Sequence, residues 1–173
     1  MMSNTFKKPV VIAHRGASGY LPEHTLVSKA VAHTMGADFL EQDVVLTKDA
    51  VPIVLHDIYL ESTTNVAHIF PNRRQSDGHF YALDFDLDEI RQLSINERLV
   101  IDDNSSCTPV FEDRFPYVEK LFKIPTLREE ISMISGLNKS RSRTAGIYVE
   151  LKSPRKHWDA GYDIANIVMT ELM

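Results

Sequence analysis

The fold is decided by residues 10–46, which read VVIAHRGASGYLPEHTLVSKAVAHTMGADFLEQDVVL. The apolar, β-branched run Val10–Ala13 predicts a buried strand, which ends where glycines interrupt the pattern. Apolar residues at helical spacing then predict a helix with Pro22 in its first turn and Gly36 at its end. A second strand is predicted over Phe39–Leu46. The order strand, loop, helix, strand is typical of an α/β fold.

The middle of the chain is less regular. Pro52–Leu55 is predicted to be extended and to form a hairpin with the second strand. From about residue 58 to 122, turn-forming residues are frequent, among them the polar cluster 102–106, and one short helix is predicted around Leu87–Leu93. We therefore predict an insertion or small subdomain over residues 58–122.

Regular structure resumes at Thr126. Thr126 followed by Glu129 is a capping-box pattern and predicts the start of a helix. A further strand is predicted over Gly146–Leu151, and a helix over Asp163–Leu172. Strands that alternate with helices in this way indicate a parallel α/β architecture.

Composition narrows the classes of function. The chain has 173 residues, is 43% hydrophobic and carries a formal net charge of −5, which suits one globular domain with an apolar core. No run of Lys and Arg provides a track for nucleic acid, so we exclude that partner. No apolar run reaches the length of about 20 residues that a membrane-spanning helix needs. Cys107 is the single cysteine and cannot form an intrachain disulfide.

Residues that can carry chemistry gather where the predicted strands end. The carboxyl ends of parallel strands meet at one edge of a sheet, so we expect these side chains to converge. They are His14 and Arg15 after the first strand, Glu41 and Asp43 on the second, His56 and Asp57 after the extended piece, and Glu150 and Lys152 at residues 146–152.

The carboxylates indicate a metal ion. Glu41 and Asp43 are two positions apart on a strand and therefore point to the same face. Converging carboxylates cannot all stay ionised in a partly buried site without a cation, and oxygen ligands suit Ca²⁺ or Mg²⁺. Such a cation, together with Arg15 and Lys152, would offset the charge of a phosphodiester. His14 and His56 could then supply a general base and a general acid.

Four blocks of sequence carry a family resemblance. They are HRGASGYLPEHT at residues 14–25, LEQD at 40–43, VLHD at 54–57 and ELK at 150–152. In this order they resemble the N-terminal part of the glycerophosphodiester phosphodiesterases. The LPEHT variant and the long insertion are similar to the bacterial periplasmic branch. Two neighbouring positions depart from the pattern of the family, Ile58 after His-Asp and Val149 before the glutamate.

The resemblance implies a TIM barrel of the phospholipase C-like phosphodiesterase type, a divalent metal ion and a small glycerophosphodiester substrate. It implies Glu41, Asp43 and Glu150 as metal ligands, His14 and His56 as the acid/base pair, and Arg15 and Lys152 as contacts to the substrate phosphate. His24 is left open between a contact at a helix N-terminus and a contact to a metal ligand.

Length sets this chain apart from a complete barrel. A TIM barrel takes about 250 residues, whereas only three or four strand–helix units are recognisable here. We therefore interpret residues 1–173 as a partial domain, a TIM-barrel-like fold truncated to its first units. The strand at Gly146–Leu151 would have an uncovered edge. For this reason we expect the isolated chain to be poorly soluble, to self-associate through the open barrel edge or pair with a partner half, and to show little activity.

Three functions remain open. The first is metal-dependent hydrolysis of glycerophosphodiesters to glycerol 3-phosphate and an alcohol. The second is a truncated, non-catalytic remnant that serves as a binding or interaction protein. The third, a phosphodiesterase acting on phosphoinositides or sphingolipids, is disfavoured because the sequence has no apolar loop for docking to a membrane. The resemblance implies a periplasmic location, but Met1–Lys8 lacks the apolar stretch of a secretory signal, so a cytoplasmic location is the alternative.

Overall fold

The computed structural model describes residues 8–101, 107–116 and 120–173; the polar start of the chain and the predicted loop at 102–106 lie outside these ranges. The strands are β1 (Ile12–Ala13), β2 (Phe39–Leu46), β3 (Pro52–Val54), β4 (Leu99–Ile101), β5 (Cys107–Pro109) and β6 (Gly146–Leu151). The helices are α1 (Leu26–Met35), α2 (Val66–Ile69), α3 (Leu87–Ile90), α4 (Leu127–Ser140), α5 (Pro154–Asp159) and α6 (Ile164–Leu172), with 3-10 turns at Pro71–Arg73 and Ala82–Asp84.

Strand β2 is the centre of the main sheet. It pairs in parallel with β1 near its start and with β6 from Phe39↔Gly146 to Val44↔Leu151. At its carboxyl end it pairs antiparallel with β3, as predicted for the hairpin. The three parallel strands lie side by side in the order β1, β2, β6, which confirms the predicted α/β architecture.

One face of this sheet is covered by α1, α4 and α6. Strand β2 alternates, so that its even-numbered residues point to these helices. The buried apolar residues on this side are Leu40, Val44 and Leu46 from β2, Ala32 from α1, Leu127 and Ile134 from α4, and Ile164 and Val168 from α6. This packing fixes the sheet against the helices and leaves the odd-numbered side chains of β2 on the other face.

The described residues of the segment 58–122 pack on the carboxyl end of that second face. Its short elements enclose a cluster of buried apolar side chains that also receives Val45 from β2 and Ile53 from β3. The members from the segment include Leu60, Val66, Phe80, Phe85, Ile90, Leu93 and Ile95. The predicted helix at Leu87–Leu93 is present as the shorter α3, whereas the hairpin β4–β5 was not predicted. The described part of the segment therefore shares a core with the carboxyl end of the sheet.

Two sequence-based predictions at the start of the chain are wrong. Val10–Ala13 is not buried: Val10 is 64% exposed, because among the described residues β1 pairs with β2 alone. Helix α1 does not begin near Pro22. Thr25 is its N-cap, with Oγ1 accepting from the Ser28 backbone N–H, and residues 22–24 belong to the preceding loop.

Helix α1 buries polar side chains on the face that touches the sheet. Met35, an apolar residue at helical spacing, is exposed, whereas Lys29 and His33 are fully buried. The short helix α5 was not predicted either. Among the described residues, no helix combines the length and the apolar character required to span a membrane.

Candidate active site

The loop after β1 folds back onto α1 and reaches the carboxylates of β2. Arg15 and Gly16 both have positive φ, 60° and 85°, and this turn aims the Arg15 backbone N–H at Glu41 Oε2, 2.6 Å away. A Cβ at Gly16 would lie 2.5 Å from Ser28 Oγ. Glycine at this position therefore allows the loop to lie directly on α1 while its backbone holds a carboxylate of the sheet.

Glu41 and Asp43 lie side by side on the second face of β2, and both are buried. Burial, followed by the neighbouring charge of Asp43, raises the pKa of Glu41. Glu41 Oε1 and Asp43 Oδ1 are buried, and neither accepts a hydrogen bond from any described residue. Two buried carboxylate oxygens without donors, on adjacent positions of one strand face, are a donor set that fits a hard divalent cation.

His24 completes a group of three possible ligands with these carboxylates. One ligand atom from each of His24, Glu41 and Asp43 lies within 4.8 Å of the others. His24 Nε2 lies 2.9 Å from Asp43 Oδ2, and His24 Nδ1 lies 3.3 Å from Lys29 Nζ. Because the Lys29 ammonium can only donate, Nδ1 accepts and Nε2–H donates to Asp43. His24, which the sequence left open, thus contacts a carboxylate of the site rather than capping α1.

These contacts also set protonation states. Burial lowers the pKa of His24 to about 4, so this imidazole is neutral at pH 7. For Asp43, burial acts to raise the pKa, but the hydrogen bond from His24 and the charge of Lys152 outweigh it and lower the pKa to about 2. Asp43 is therefore ionised, with one oxygen held by a neutral donor.

Lys29 lies in the candidate site and was not predicted from the sequence. It is fully buried on α1, and its Nζ donates to the backbone carbonyl of Glu41 and lies 3.5 Å from Glu130 Oε2. Glu130 is itself fully buried, and burial raises its pKa to about 7. The only signal in the sequence was a charged residue inside a helical pattern, which usually marks a solvated face.

Glu150 and Lys152 extend the site onto β6. Glu150 is the register partner of Asp43, but its side chain is 54% exposed. Lys152 Nζ donates to Glu150 Oε1 at 2.6 Å and lies 3.4 Å from Asp43 Oδ1. Burial acts to lower the pKa of Lys152, yet the hydrogen bond to Glu150 and the charge of Asp43 raise it. Lys152 therefore joins the two carboxylates as a fixed positive charge.

His56 is coupled to Asp57. Its Nδ1 donates to Asp57 Oδ1, while Asp57 Oδ2 accepts from Ser62 Oγ at 2.6 Å and from Arg98 Nη1 at 2.6 Å. Although burial acts to raise the pKa of Asp57, these hydrogen bonds lower it well below its usual range. Since Nδ1 is the donor to Asp57, Nε2 is the ring atom left to exchange a proton with a substrate. A general acid or base needs a ring nitrogen in this position.

The side chain of Arg15 connects the loop after β1 with the carboxylates of β2. Its Nη1 donates to both oxygens of Glu23, at 3.2 and 3.1 Å, and its Nε lies 3.7 Å from Asp43 Oδ2. His14, the preceding residue, is exposed. The structure thus brings Arg15, Glu41, Asp43 and Lys152 into contact, reaches Glu150 through Lys152, and places His56 in a pair with Asp57.

Comparison with known proteins identifies the relatives of this chain. The model of the glycerophosphoryl diester phosphodiesterase family matches residues 14–172. A glycerophosphodiester phosphodiesterase of Haemophilus influenzae is 46% identical over 95% of this chain and 45% of its own length. One of Treponema pallidum is 41% identical over 94% of this chain and 46% of its own length. The chain therefore spans about half the length of the curated relatives that it matches.

Solved structures give the same picture of the fold. A phosphodiesterase of Oleispira antarctica, solved in complex with the product sn-glycerol-3-phosphate, is 29% identical with a TM-score of 0.63. The match covers 95% of this chain and 51% of that structure. The predicted TIM-barrel-like α/β fold, present to about half the extent of the relatives, is confirmed.

Proposed function

The chain belongs to the glycerophosphoryl diester phosphodiesterase family, and from this premise we propose that its site hydrolyses glycerophosphodiesters to glycerol 3-phosphate and an alcohol. The proposal rests on one observation: Arg15 and Lys152 lie in contact with the buried carboxylates of Glu41 and Asp43. Positive side chains that converge beside potential cation ligands are what a phosphodiester needs for binding and for stabilisation of its transition state.

The carboxylates are proposed as the metal ligands. Glu41 and Asp43 would hold a divalent cation through the oxygens that lack hydrogen-bond donors in the described part of the chain, and Glu150 would join them from β6. When bound, a hard cation such as Ca²⁺ or Mg²⁺ supplies Lewis acidity toward the phosphoryl oxygens. His24 and Arg15 orient these ligands, since the first donates to Asp43 and the backbone N–H of the second donates to Glu41.

Arg15 and Lys152 are proposed as the contacts to the substrate phosphate. Both are partly exposed, with about a fifth of each side chain open to solvent, so an anion can reach them. Each is already held by carboxylates, Arg15 by Glu23 and Lys152 by Glu150, which fixes the charge in place before substrate arrives. Fixed charges cost no reorganisation when negative charge develops in the transition state.

His14 and His56 are proposed as the acid/base pair. Asp57 holds the hydrogen of His56 on Nδ1, so Nε2 can take up a proton and return it. His14 lies exposed at the end of β1, next to Arg15, where a bound substrate can meet it. Proton transfer by such a pair contributes about a hundredfold or more to the rate.

Product analysis tests the proposal. Phosphorus NMR of glycerophosphocholine incubated with the chain and Ca²⁺ or Mg²⁺ should detect glycerol 3-phosphate and no phosphocholine. We expect a low absolute rate for the 173-residue chain and, relative to it, a loss of about a hundredfold or more in His14→Gln and His56→Gln. The exposed His68 of α2 offers a matched control, and His68→Gln should retain the parent rate.

The non-catalytic alternative is favoured by one observation, the exposed apolar side chains on the second face of the sheet. Ile12, Phe39 and Tyr148 share that face and are 46%, 38% and 52% exposed. A surface of this kind is typical of an interaction site, and we propose that a second copy of the chain covers it. If no product forms under any metal condition while the chain associates, the non-catalytic function replaces the hydrolytic one.

A further inference from the structure

Arg98 occupies the centre of an ion-pair network outside the motifs that carry the family resemblance. It lies in the segment 58–122, directly before β4. Its guanidinium makes three short contacts: Nη2 to Glu23 Oε1 at 2.6 Å, Nε to Glu23 Oε2 at 3.2 Å, and Nη1 to Asp57 Oδ2 at 2.6 Å. Two of these form a bidentate pair with one carboxylate, and the third reaches a different loop.

The two loops that Arg98 joins carry different parts of the chemistry. Glu23 belongs to the loop after β1 and holds the side chain of Arg15. Asp57 belongs to the loop after β3 and holds His56. A continuous path of charge-assisted hydrogen bonds therefore runs Arg15, Glu23, Arg98, Asp57, His56. Arg15 at one end is the proposed phosphate contact, and His56 at the other end is the proposed acid/base residue.

The path has a balanced charge and little access to solvent. Two arginines face two carboxylates, and Glu23 is buried while the Arg98 side chain is 19% exposed. Burial acts to raise the pKa of Glu23, but the hydrogen bond and charge of Arg98 lower it. Partly buried ion pairs of this kind favour one geometry over others, because a displaced member leaves the charge of its partner unpaired.

We propose that Arg98 is a positioning residue that aligns the proposed acid/base histidine, His56, with the phosphate-binding Arg15. It acts on His56 through Asp57: by holding Oδ2 from the side of the segment 58–122, it turns Oδ1 toward His56 Nδ1. In the same way, Arg98 holds the carboxylate of Glu23, and Glu23 in turn holds the guanidinium of Arg15. The segment 58–122 thus contributes directly to the reaction centre. The proposal rests on the proposed function for its catalytic meaning, but its structural content can be measured separately.

The positioning role can be measured separately from activity by the proton resonance of the hydrogen on His56 Nδ1. A hydrogen held between an imidazole nitrogen and a carboxylate gives a downfield proton resonance, which His56→Gln identifies by its disappearance. In the 173-residue chain, Arg98→Met should broaden or remove this resonance, because Asp57 Oδ2 then loses its charged donor and is held by Ser62 Oγ, which fixes it less firmly. Arg98→Lys, which keeps the charge but not the fork, should restore it in part. The control is Arg91→Met, which removes a bidentate ion pair with Glu129 from the same segment, away from the site.

Kinetics provide the second readout. With glycerophosphocholine and Ca²⁺, Arg98→Met should lower kcat by about ten- to a hundredfold, as expected for misalignment of a reacting group. KM should rise by a smaller factor, because Glu23 then holds the phosphate-binding Arg15 less firmly. The kcat of Arg98→Lys should lie between that of Arg98→Met and that of the parent. An unchanged His56 resonance in folded Arg98→Met would overturn the proposal, whatever the activity. If the parent makes no product but the resonance responds as expected, the positioning role stands and the proposed function fails.

Discussion

At Gly16 the chain turns with a φ of 85°, and the missing side chain lets the loop after β1 rest on Ser28 of α1. We predict that Gly16→Ala lowers the free energy of unfolding by about 2 kcal/mol. Left-handed backbone costs an alanine about 1 kcal/mol or more, and the new Cβ would meet Ser28 Oγ at 2.5 Å and its carbonyl carbon at 3.0 Å. Urea denaturation followed by circular dichroism measures the change.

Gly19 gives the matched control for this prediction. It lies in the same loop, its φ is not positive, and a Cβ there would meet no atom within 4 Å. Gly19→Ala should therefore change stability by no more than about 0.5 kcal/mol. Equal effects of the two substitutions would mean that the close approach of Gly16 to α1 does not stabilise the loop.

The buried carboxyl of Glu130 predicts a dependence of stability on pH. Burial raises its pKa from 4.5 to about 7, so the folded state binds its proton more tightly than the unfolded state. The resulting stabilisation is complete below pH 4.5 and is lost as the pH rises through 7. Glutamine cannot ionise, so the free energy of unfolding of Glu130→Gln, relative to the parent, should rise by about 2 kcal/mol between pH 5 and pH 8.

The slope with pH is the quantity to measure for Glu130. Substitution also removes the partner of Lys29, but the attraction between Lys29 and ionised Glu130 is already contained in the folded-state pKa of Glu130 and adds no separate slope. Glu112→Gln, at an exposed carboxylate, is the matched control. A difference for Glu130→Gln that does not change with pH would contradict a raised pKa at this position.

The sequence was informative about residues whose chemistry lies in short motifs. Arg15, Glu41, Asp43 and Lys152 converge because consecutive strands of a parallel sheet end at one edge. Arg98 could not be found in this way, since its carboxylate partner Glu23 lies 75 positions away in the chain. A local pattern reports which face a residue occupies, and it carries no information on a contact between segments that meet only after folding.

At the scale of elements, predictions worked where periodicity and end signals agreed. Strands β2 and β6 were predicted with the observed bounds, and helix α4 begins at the predicted capping box. Helix α1 was misjudged because its buried face carries Lys29 and His33, which pair with polar groups of the site and of α4. Hydrophobic periodicity fails where a helix packs its polar side against a functional site.

The capping box of α4 offers a test of an element. Thr126 Oγ1 accepts from the Glu129 backbone N–H at 3.2 Å, and Glu129 Oε2 accepts from the Thr126 N–H at 2.8 Å. Thr126→Ala should lower the free energy of unfolding by about 1 kcal/mol. Ser140→Ala at the other end of the helix should change it by less than about 0.5 kcal/mol, because that side chain is exposed. Similar losses in both variants would argue that the cap contributes nothing specific.

At the scale of the whole molecule, the second face of the sheet governs behaviour in solution. We predict that the chain self-associates through Ile12, Phe39 and Tyr148, which are exposed on that face. Sedimentation velocity should show a smaller mean mass for the double variant Ile12→Lys with Tyr148→Lys than for the parent. Exposed methionines on the helical side, Met35 and Met169, provide the control, and their replacement by lysine should leave the association unchanged. A monodisperse monomeric parent would contradict the prediction.

Release of glycerol 3-phosphate from glycerophosphocholine, with and without added divalent cation, tests the central claim most directly. Chain stripped with a chelator should be inactive and should regain turnover with Ca²⁺ or Mg²⁺. Glu41→Gln should remain at least about a hundredfold slower than the parent at saturating cation, because a ligand that fixes the Lewis acid is worth several kcal/mol. Glu112→Gln should match the parent. Turnover that persists in the chelator, or that survives Glu41→Gln unchanged, would contradict a metal-dependent phosphodiesterase site on β2.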